Sequence, residues 1–337
     1  MNSVTARADQ LPMGPYLNQI KPWVSVICTS YNHEAFVIEA LQSVVDQDYP
    51  NVELIVIDNG SSDQSALRIG QFAEKHPAVR FLKNLTNLGL NRAFNQGLAL
   101  AQGRYVIDLA ADDVLLPSRI RKQTELFERL AGPYAVVFSN AAYIDAQGQL
   151  LRYHYPIDEQ GYAQVRVPSG NVFRDILHRH FVCTPTMMMR RDVLNELGGY
   201  DESLAFEDFD FWVRSARTYH YAYLDEVLTH KRRLSDSLGR QVLLRNNPLL
   251  ASSLIVCQRA LDRCATPDER RALADRIRGF VRKAFYAEQF DLARRFGQLL
   301  ANIEQPDLVT RLFLGLSYVH LPVNGVYRRY RHWQRGR

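Results

Sequence analysis

Two short runs, "WVSVICT" (Trp23–Thr29) and "VELIVID" (Val52–Asp58), are apolar, rich in β-branched residues and end abruptly in polar ones. Neither alternates between inside and outside, so each suits a strand buried on both faces, the situation of a parallel sheet. Between them Phe36, Ile38, Ala40, Leu41, Val44 and Val45 fall at largely helical spacing, and "QDYPN" breaks the pattern. The proline in that breaker cannot continue a helix. A strand, a helix and a second strand in this order demand a crossover connection, which leaves few topologies open.

The alternation continues. Helices are predicted near Gln64 to Lys75 and from about Leu90 to Ala101, with strands at Val79 to Lys83 and Arg104 to Ala110. After Pro117 come a helix to about Leu130, a strand from Ala135 to Asn140 and a hairpin around Ala146-Gln147-Gly148. The segment from Thr184 to Arg217 reads as strand, short helix, Gly-rich loop and a helix opened by acids. Beyond about Leu243 the chain is helical and rich in Leu, Ala and Arg. The fold class is therefore α/β, a mostly parallel central sheet flanked by helices, followed by a C-terminal helical region.

A chain of 337 residues buries a full core. No stretch approaches the ~20 apolar residues of a membrane-spanning helix. Met1 to Lys21, interrupted by Pro12, Gly14 and Pro15, lacks the apolar centre of a secretory signal and reads as a flexible extension. Cys28, Cys183, Cys257 and Cys264 lack the paired spacing of a zinc site and read as buried thiols, pointing to the cytoplasm. The net charge of +5 is modest, and no nucleic-acid partner is expected. From His320 to Arg337, however, Arg328, Arg329, Arg331, Arg335 and Arg337 occur without an acid, among Tyr327, Tyr330 and Trp333. Such a tail suits peripheral contact with an anionic membrane surface on its inner face, or else is a solvated terminal helix.

Ligands of open α/β sheets bind beyond the carboxyl ends of the strands. Three polar segments sit at such ends: "TSYN" from Thr29, "DNGSSD" from Asp58 and "ADD" from Ala111. Asp58 can accept hydrogen bonds from a base or ribose, although the same segment suits a helix cap with Asp63 opening the next helix. Asp112 and Asp113, at the end of an apolar run, call for a positive partner. A divalent cation, Mg or Mn, shared with diphosphate oxygens meets that need, and a helix N-cap is the alternative. Glu207 and Asp208 open a helix, where acids complement the dipole. The same position suits a general base that deprotonates an attacking hydroxyl.

Two nucleotide-using classes lack their loops. The first strand ends in "TSYNHE", not in the Gly-x-Gly-x-x-Gly turn of nicotinamide enzymes. Nor does it carry the Gly-rich basic loop of a nucleotidylyltransferase.

Taken together, "VSVICTSYNHEAFVIEALQSVVDQDYPNVELIVIDNGSSD", "NLGLNRAFNQGL", "ADDVLLP" and "GGYDESLAFEDFDFWVR" resemble the family 2 glycosyltransferases, which have the GT-A fold and invert the anomeric centre. The match runs from about Trp23 to Arg233. It implies a metal-dependent, hexosyltransferase-like enzyme that moves a sugar from a nucleotide-sugar donor to an acceptor hydroxyl. The implied setting is cell-surface polysaccharide or glycolipid synthesis, with a glycan or lipid-linked acceptor. By position, Thr29 and Tyr31 line the nucleotide pocket, Asp58 binds the base edge, and Asn87, Gly89 and Arg92 belong to the loop that closes near the donor. Asp112 contacts the ribose or sugar, Asp113 holds the metal, and Asp208 is the catalytic base supported by Glu207. The implied organisation is an extension (1–21), a GT-A domain (22–240) with a nucleotide-binding half (22–117) and an acceptor half (118–240), and a helical region with a basic tail (241–337).

Two departures stand out. The family often carries Asp where this chain has Ala110, so one ligand is missing and Asp113 takes more of the metal. A late His or Arg-x-His motif maps onto "LTHKRRLSDSLG", where His230 or Ser235 fills the position, and Lys231, Arg232 and Arg233 can neutralise a diphosphate. A catalytically weak member that binds nucleotide sugar or glycan without transfer is the alternative function.

Overall fold

The computed structural model describes residues 21–234, 242–327 and 329. The N-terminal extension, Ser235 and most of the basic tail lie outside the described residues. The chain divides into two compact units.

The first unit runs up to Val172 and adds His180–Ser203 and Arg214–Arg233. Its strands are β1 (Val24–Ser30), β2 (Val52–Asp58), β3 (Arg80–Lys83), β4 (Tyr105–Ala110), β5 (Val114–Leu115), β6 (Tyr134–Ile144), β7 (Leu150–Tyr153), β8 (Met188–Arg190) and β9 (His220–Arg232). They form one sheet in the order β3-β2-β1-β4-β8-β6-β9-β5, with β7 paired to β6. The first four lie parallel, β8 runs antiparallel to both neighbours, and β6 and β9 are again parallel. All seven residues of β1 are buried, as its uninterrupted apolar run requires.

The covering helices are α1 (Val37–Val45), α2 (Ser65–Lys75), α3 (Leu90–Leu100), α4 (Arg119–Arg129) and α6 (Arg191–Glu196). Val37, Ala40, Leu41 and Val44 give α1 its buried stripe. On the opposite face α3 approaches β1 so closely that a Cβ on Gly97 would stand 2.4 Å from Ile27 Cγ2. The hairpin predicted around Gly148 joins β6 to β7.

In the second unit, α5 (Phe173–His178) and Leu204–Val213 accompany the chain from Leu234 onward. Its helices α8 (Leu249–Arg263), α9 (Pro267–Tyr286), α10 (Phe290–Ala301) and α11 (Leu308–Tyr318) realise the predicted helical region. Thr266 and Glu269 form a reciprocal capping box at the start of α9. Leu254, Cys257, Ile277 and Leu300 are buried, and the Phe280 and Phe296 rings stack at 5.3 Å. The four cysteines are buried, and none forms a disulfide. Among the described residues no helix is long and apolar enough to cross a membrane.

Candidate active site

Three loops at the carboxyl ends of β1, β2 and β3 are tied into one platform. Asn32 N donates to Ser61 Oγ at 3.0 Å, and Asn32 Oδ1 accepts from Ser62 N at 2.8 Å. Asn59 links the second loop to the third. Its amide donates to Asn87 Oδ1 (3.0 Å) and the Gly89 carbonyl (3.2 Å), and its Oδ1 accepts from Asn84 and Leu88. Gly60, at φ +75°, passes so near Thr86 that a Cβ would lie 2.3 Å from its carbonyl carbon.

Asp58 is wholly buried, and its carboxylate accepts from Ser61 N at 3.2 Å and Ser61 Oγ at 2.6 Å. Asp63 serves the following helix by accepting from Ser65 N at 2.9 Å. Thr29 is also buried, pairs with Ala110 across the sheet and accepts from Ala111 N at 3.1 Å. Tyr31, in the loop after β1, is 44% exposed. Asn87 Oδ1 closes the third loop on Gly89 N at 2.9 Å, and Gly89 turns the chain into α3 at φ 88°. Arg92, one turn on, pairs with Glu202 at 2.8 Å. Asn91 and Asn95 donate to the Asp201 and Tyr200 carbonyls, so α3 holds the "GGYDES" loop by three side chains.

Beyond β4 the chain turns at Ala110, and Asp113 N donates to its carbonyl at 3.0 Å. Asp113 then enters β5, whereas α4 begins only at Arg119, so the N-cap alternative for this acid is excluded. Asp113 Oδ1 accepts from Arg232 N at 2.9 Å, and its Oδ2 has no hydrogen bond among the described residues. Burial, with Asp112 beside it, pushes the Asp113 carboxyl well above the ordinary carboxylate range, against the pull of Lys231. Burial pulls the neighbouring Arg119 down to about 9, and the Asp113 charge opposes that pull.

The basic run after Thr229 separates into distinct tasks. Arg232 is buried and spends its guanidinium on the Asp112 carbonyl (3.0 Å), the Asp145 carbonyl (2.9 Å) and Glu39 (2.6 Å). It is therefore a structural arginine, which corrects its reading as a diphosphate ligand. Arg233 lies 5.1 Å over the Tyr143 ring, which Arg152 also covers at 4.2 Å. Lys231 is the member whose charge acts on Asp113. His230 feels Glu39 and Arg232 instead, and burial lowers its pKa. Its ring lines a groove of about 850 Å³ with Leu150, Tyr153, Tyr162, Asp225 and Glu226.

Asp112 and Asp113 offer oxygen donors to a hard cation. Such a cation takes its remaining ligands from substrate phosphate and water. The open Oδ2 of a buried, charge-strained acid fits that use. Among the described residues no group of three or more His, Cys, Asp or Glu forms a complete site.

In the second unit Glu207 and Asp208 are partly exposed at the start of α7 (Asp208–Ser215). Asp208 Oδ1 accepts from Phe209 N at 2.6 Å, and the Glu207 carbonyl accepts from Phe211 N at 3.1 Å. Arg276 lies 4.1 Å over the Phe209 ring, and the Asp208 charge supports its protonation against burial. Asp210, two residues on, is buried and paired to Arg259 at 2.9 Å.

The family model described as Glycosyl transferase family 2 matches residues 25–198. The chain belongs to glycosyl transferase family 2. A glycosyltransferase of Methanocaldococcus jannaschii is 30% identical over 216 residues, 63% of this chain and 71% of that protein. One from Rickettsia conorii is 26% identical over 232 residues, covering 68% of this chain and 37% of the relative. Among solved structures, S. aureus TarS in complex with UDP-GlcNAc aligns with a TM-score of 0.63 at 17% identity, over 91% of this chain and 92% of that one. A mannosyltransferase from Pyrobaculum calidifontis, in complex with GDP-Man and Mn2+, gives 0.55 at 17% identity, over 94% and 84% of the two chains. These likenesses establish the GT-A type of fold that the motifs imply.

Two residues of this glycosyltransferase, Arg119 and Asp108, escaped the sequence reading, and so did the action of Lys231 on Asp113, which follows from the pairing of β5 with β9 that no local pattern encodes. Asp108 was hidden inside the apolar run of β4. It is partly exposed on the face that bears Ala110, hydrogen bonds with Tyr200, and is pushed up to about 7 by burial. A carboxylate interrupting a central strand was its one available signal.

Proposed function

We propose that this glycosyltransferase is an inverting enzyme that transfers a sugar from a nucleotide-sugar donor to an acceptor hydroxyl. The observation that carries the reading is the adjacent acids Asp112 and Asp113 in the turn after β4, one strand away from the platform built on Thr29, Asp58 and Asn87. Tyr31 stacks on the base, Asp58 takes the base edge, and Gly89 and Arg92 border the donor. Asp112 contacts the ribose, and Asp113 with Asp112 holds a divalent cation. His230 is the remaining candidate ligand. A Mg or Mn ion supplies neutralisation of the diphosphate charge, and Lys231 and Arg233 add to it.

Asp208 accepts the proton of the acceptor hydroxyl as its oxygen bonds to the anomeric carbon. The bond to the diphosphate breaks from the opposite side, and the nucleoside diphosphate leaves with the electron pair. Glu207 supports that base. Residues 22–117 form the nucleotide half, 118–240 the acceptor half and 241–337 a helical region. The relatives' complexes with UDP-GlcNAc and GDP-Man support a nucleotide-sugar donor, and the mannosyltransferase complex supports a metal. We place the enzyme on the inner face of the cell membrane, acting on a glycan or lipid-linked acceptor in envelope synthesis.

Ala110, which removes one carboxylate from the metal side, favours a second reading as a weakly active nucleotide-sugar binder. Donor screening by nucleotide release, with and without chelator, separates the two. Metal-dependent release with one donor supports transfer. Binding of the donor without turnover supports the second reading.

A further inference from the structure

Several apolar side chains of α11 point to water. Its inward face carries Thr310 and Ser317, both fully buried, beside Phe313 and Leu314. Phe313 packs 5.2 Å from the Phe285 ring, and Leu314 crowds Gly297. Leu308, Leu312 and Val319 face outward with 82%, 60% and 69% exposure. Spacings of four and seven residues put these three on one stripe. Val309, Leu321 and Val326 are exposed as well. A soluble helix presents the reverse pattern, and a contiguous apolar patch marks a binding surface.

The charge of the same segment selects the occupant. From Leu308 to Arg337 there is no Asp or Glu, while Arg311, Arg328, Arg329, Arg331, Arg335 and Arg337 give six cations. A second copy of the chain seated on this face would bring two such segments together and oppose itself. Exposed Leu and Val in a segment whose only charged side chains besides His are arginines instead match an interface with anionic headgroups over acyl chains.

We propose that the outward face of α11, with the turn that follows it, inserts into an anionic lipid surface. Leu308, Leu312 and Val319 enter the acyl boundary, and Arg311 on the same helix engages the headgroups. The inference deepens the membrane setting proposed above, and it is tested without donor or acceptor, so its failure is separable from failure of the transferase reading.

The full chain is sedimented with phosphatidylcholine vesicles containing or lacking phosphatidylglycerol. Binding to the anionic vesicles, weakened by added salt, is expected, with little binding to the neutral ones. The triple variant Leu308→Asn, Leu312→Asn, Val319→Asn should bind at least about tenfold more weakly, given the apolar area withdrawn. It should keep its thermal midpoint and its metal-dependent nucleotide release, because these side chains point to solvent. Equal affinity of variant and wild type for anionic vesicles would overturn the proposal. So would equal binding to both vesicle types, or an oligomer, seen by light scattering, that the triple variant dissociates.

Discussion

The backbone N–H of Arg232 donates to the Asp113 carboxylate at 2.9 Å, while the Arg232 side chain donates to the Asp112 carbonyl at 3.0 Å. One residue of β9 therefore fixes both the buried acid and the turn that presents it. Arg232→Ala keeps the backbone bond but strips the side-chain ties to Asp112, Asp145 and Glu39. Losing a buried arginine that satisfies several acceptors should cost about 2–4 kcal/mol of stability. Chemical denaturation checks this, and the donor KM should rise as the Asp112–Asp113 turn loosens.

Asp113→Asn separates stability from function. Burial and Asp112 raise the folded pKa of Asp113, so its contribution is favourable when protonated and is lost as pH climbs above the ordinary carboxylate range. The amide removes that loss. The variant should melt higher than wild type at about pH 8 in the absence of divalent metal, with a smaller gain at about pH 4.5. Metal-dependent nucleotide release should vanish. A variant that retains metal-stimulated release would remove Asp113 from the metal site.

The Asn59 side chain joins the second and third loops through four hydrogen bonds, to Asn87, Gly89, Asn84 and Leu88. Asn59→Ala abandons all of them in a buried setting. We expect a loss of roughly 1–3 kcal/mol, read by denaturation, and a larger proportional effect on donor KM than on kcat.

The legible part of the molecule is its local part. Val24–Ser30 and Val52–Asp58 are dense in β-branched residues, and tertiary structure had nothing to override there. β9 went unforeseen because "HYAYLDEVLTHKR" mixes buried and half-buried positions and gains its strand character from pairing with β6. The acids at 112 and 113 were visible because charge at the end of an apolar run needs a reason, and Asp208 because it opens a helix. Which base meets which acid was invisible. Arg232, Arg119 and Lys231 lie on one basic-looking footing in the sequence, yet Arg232 braces the Asp112 turn, Arg119 donates inside the fold to Gln123, Thr229 and the Met187 carbonyl, and Lys231 acts on Asp113.

Asp108 offers a pH test of the face that bears Ala110. Its carboxyl is pushed up to about 7 by burial, so it stabilises the fold least when ionised. The sign is that of a raised acid: its contribution weakens between about pH 4 and about pH 7 as the proton is lost. Asp108→Asn should therefore gain roughly 1–3 kcal/mol over wild type at about pH 8 and almost nothing at about pH 4. Urea titrations at both pH values measure the difference. A gain independent of pH would show that packing, not ionisation, sets the effect.

Asp208→Asn tests the proposed base most directly. The side chain is partly exposed at the first turn of α7, and its Oδ1 already accepts from Phe209 N at 2.6 Å. An amide oxygen can keep that bond, so the helix should start as before and the thermal midpoint should move little. An amide cannot accept the proton of an attacking hydroxyl. Removal of a general base lowers kcat by roughly 10²–10⁴-fold. Donor KM should stay near wild type, because the proton transfer occurs only on the way to the transition state. Equal turnover by the variant would move the base to another residue, with Glu207 next in line.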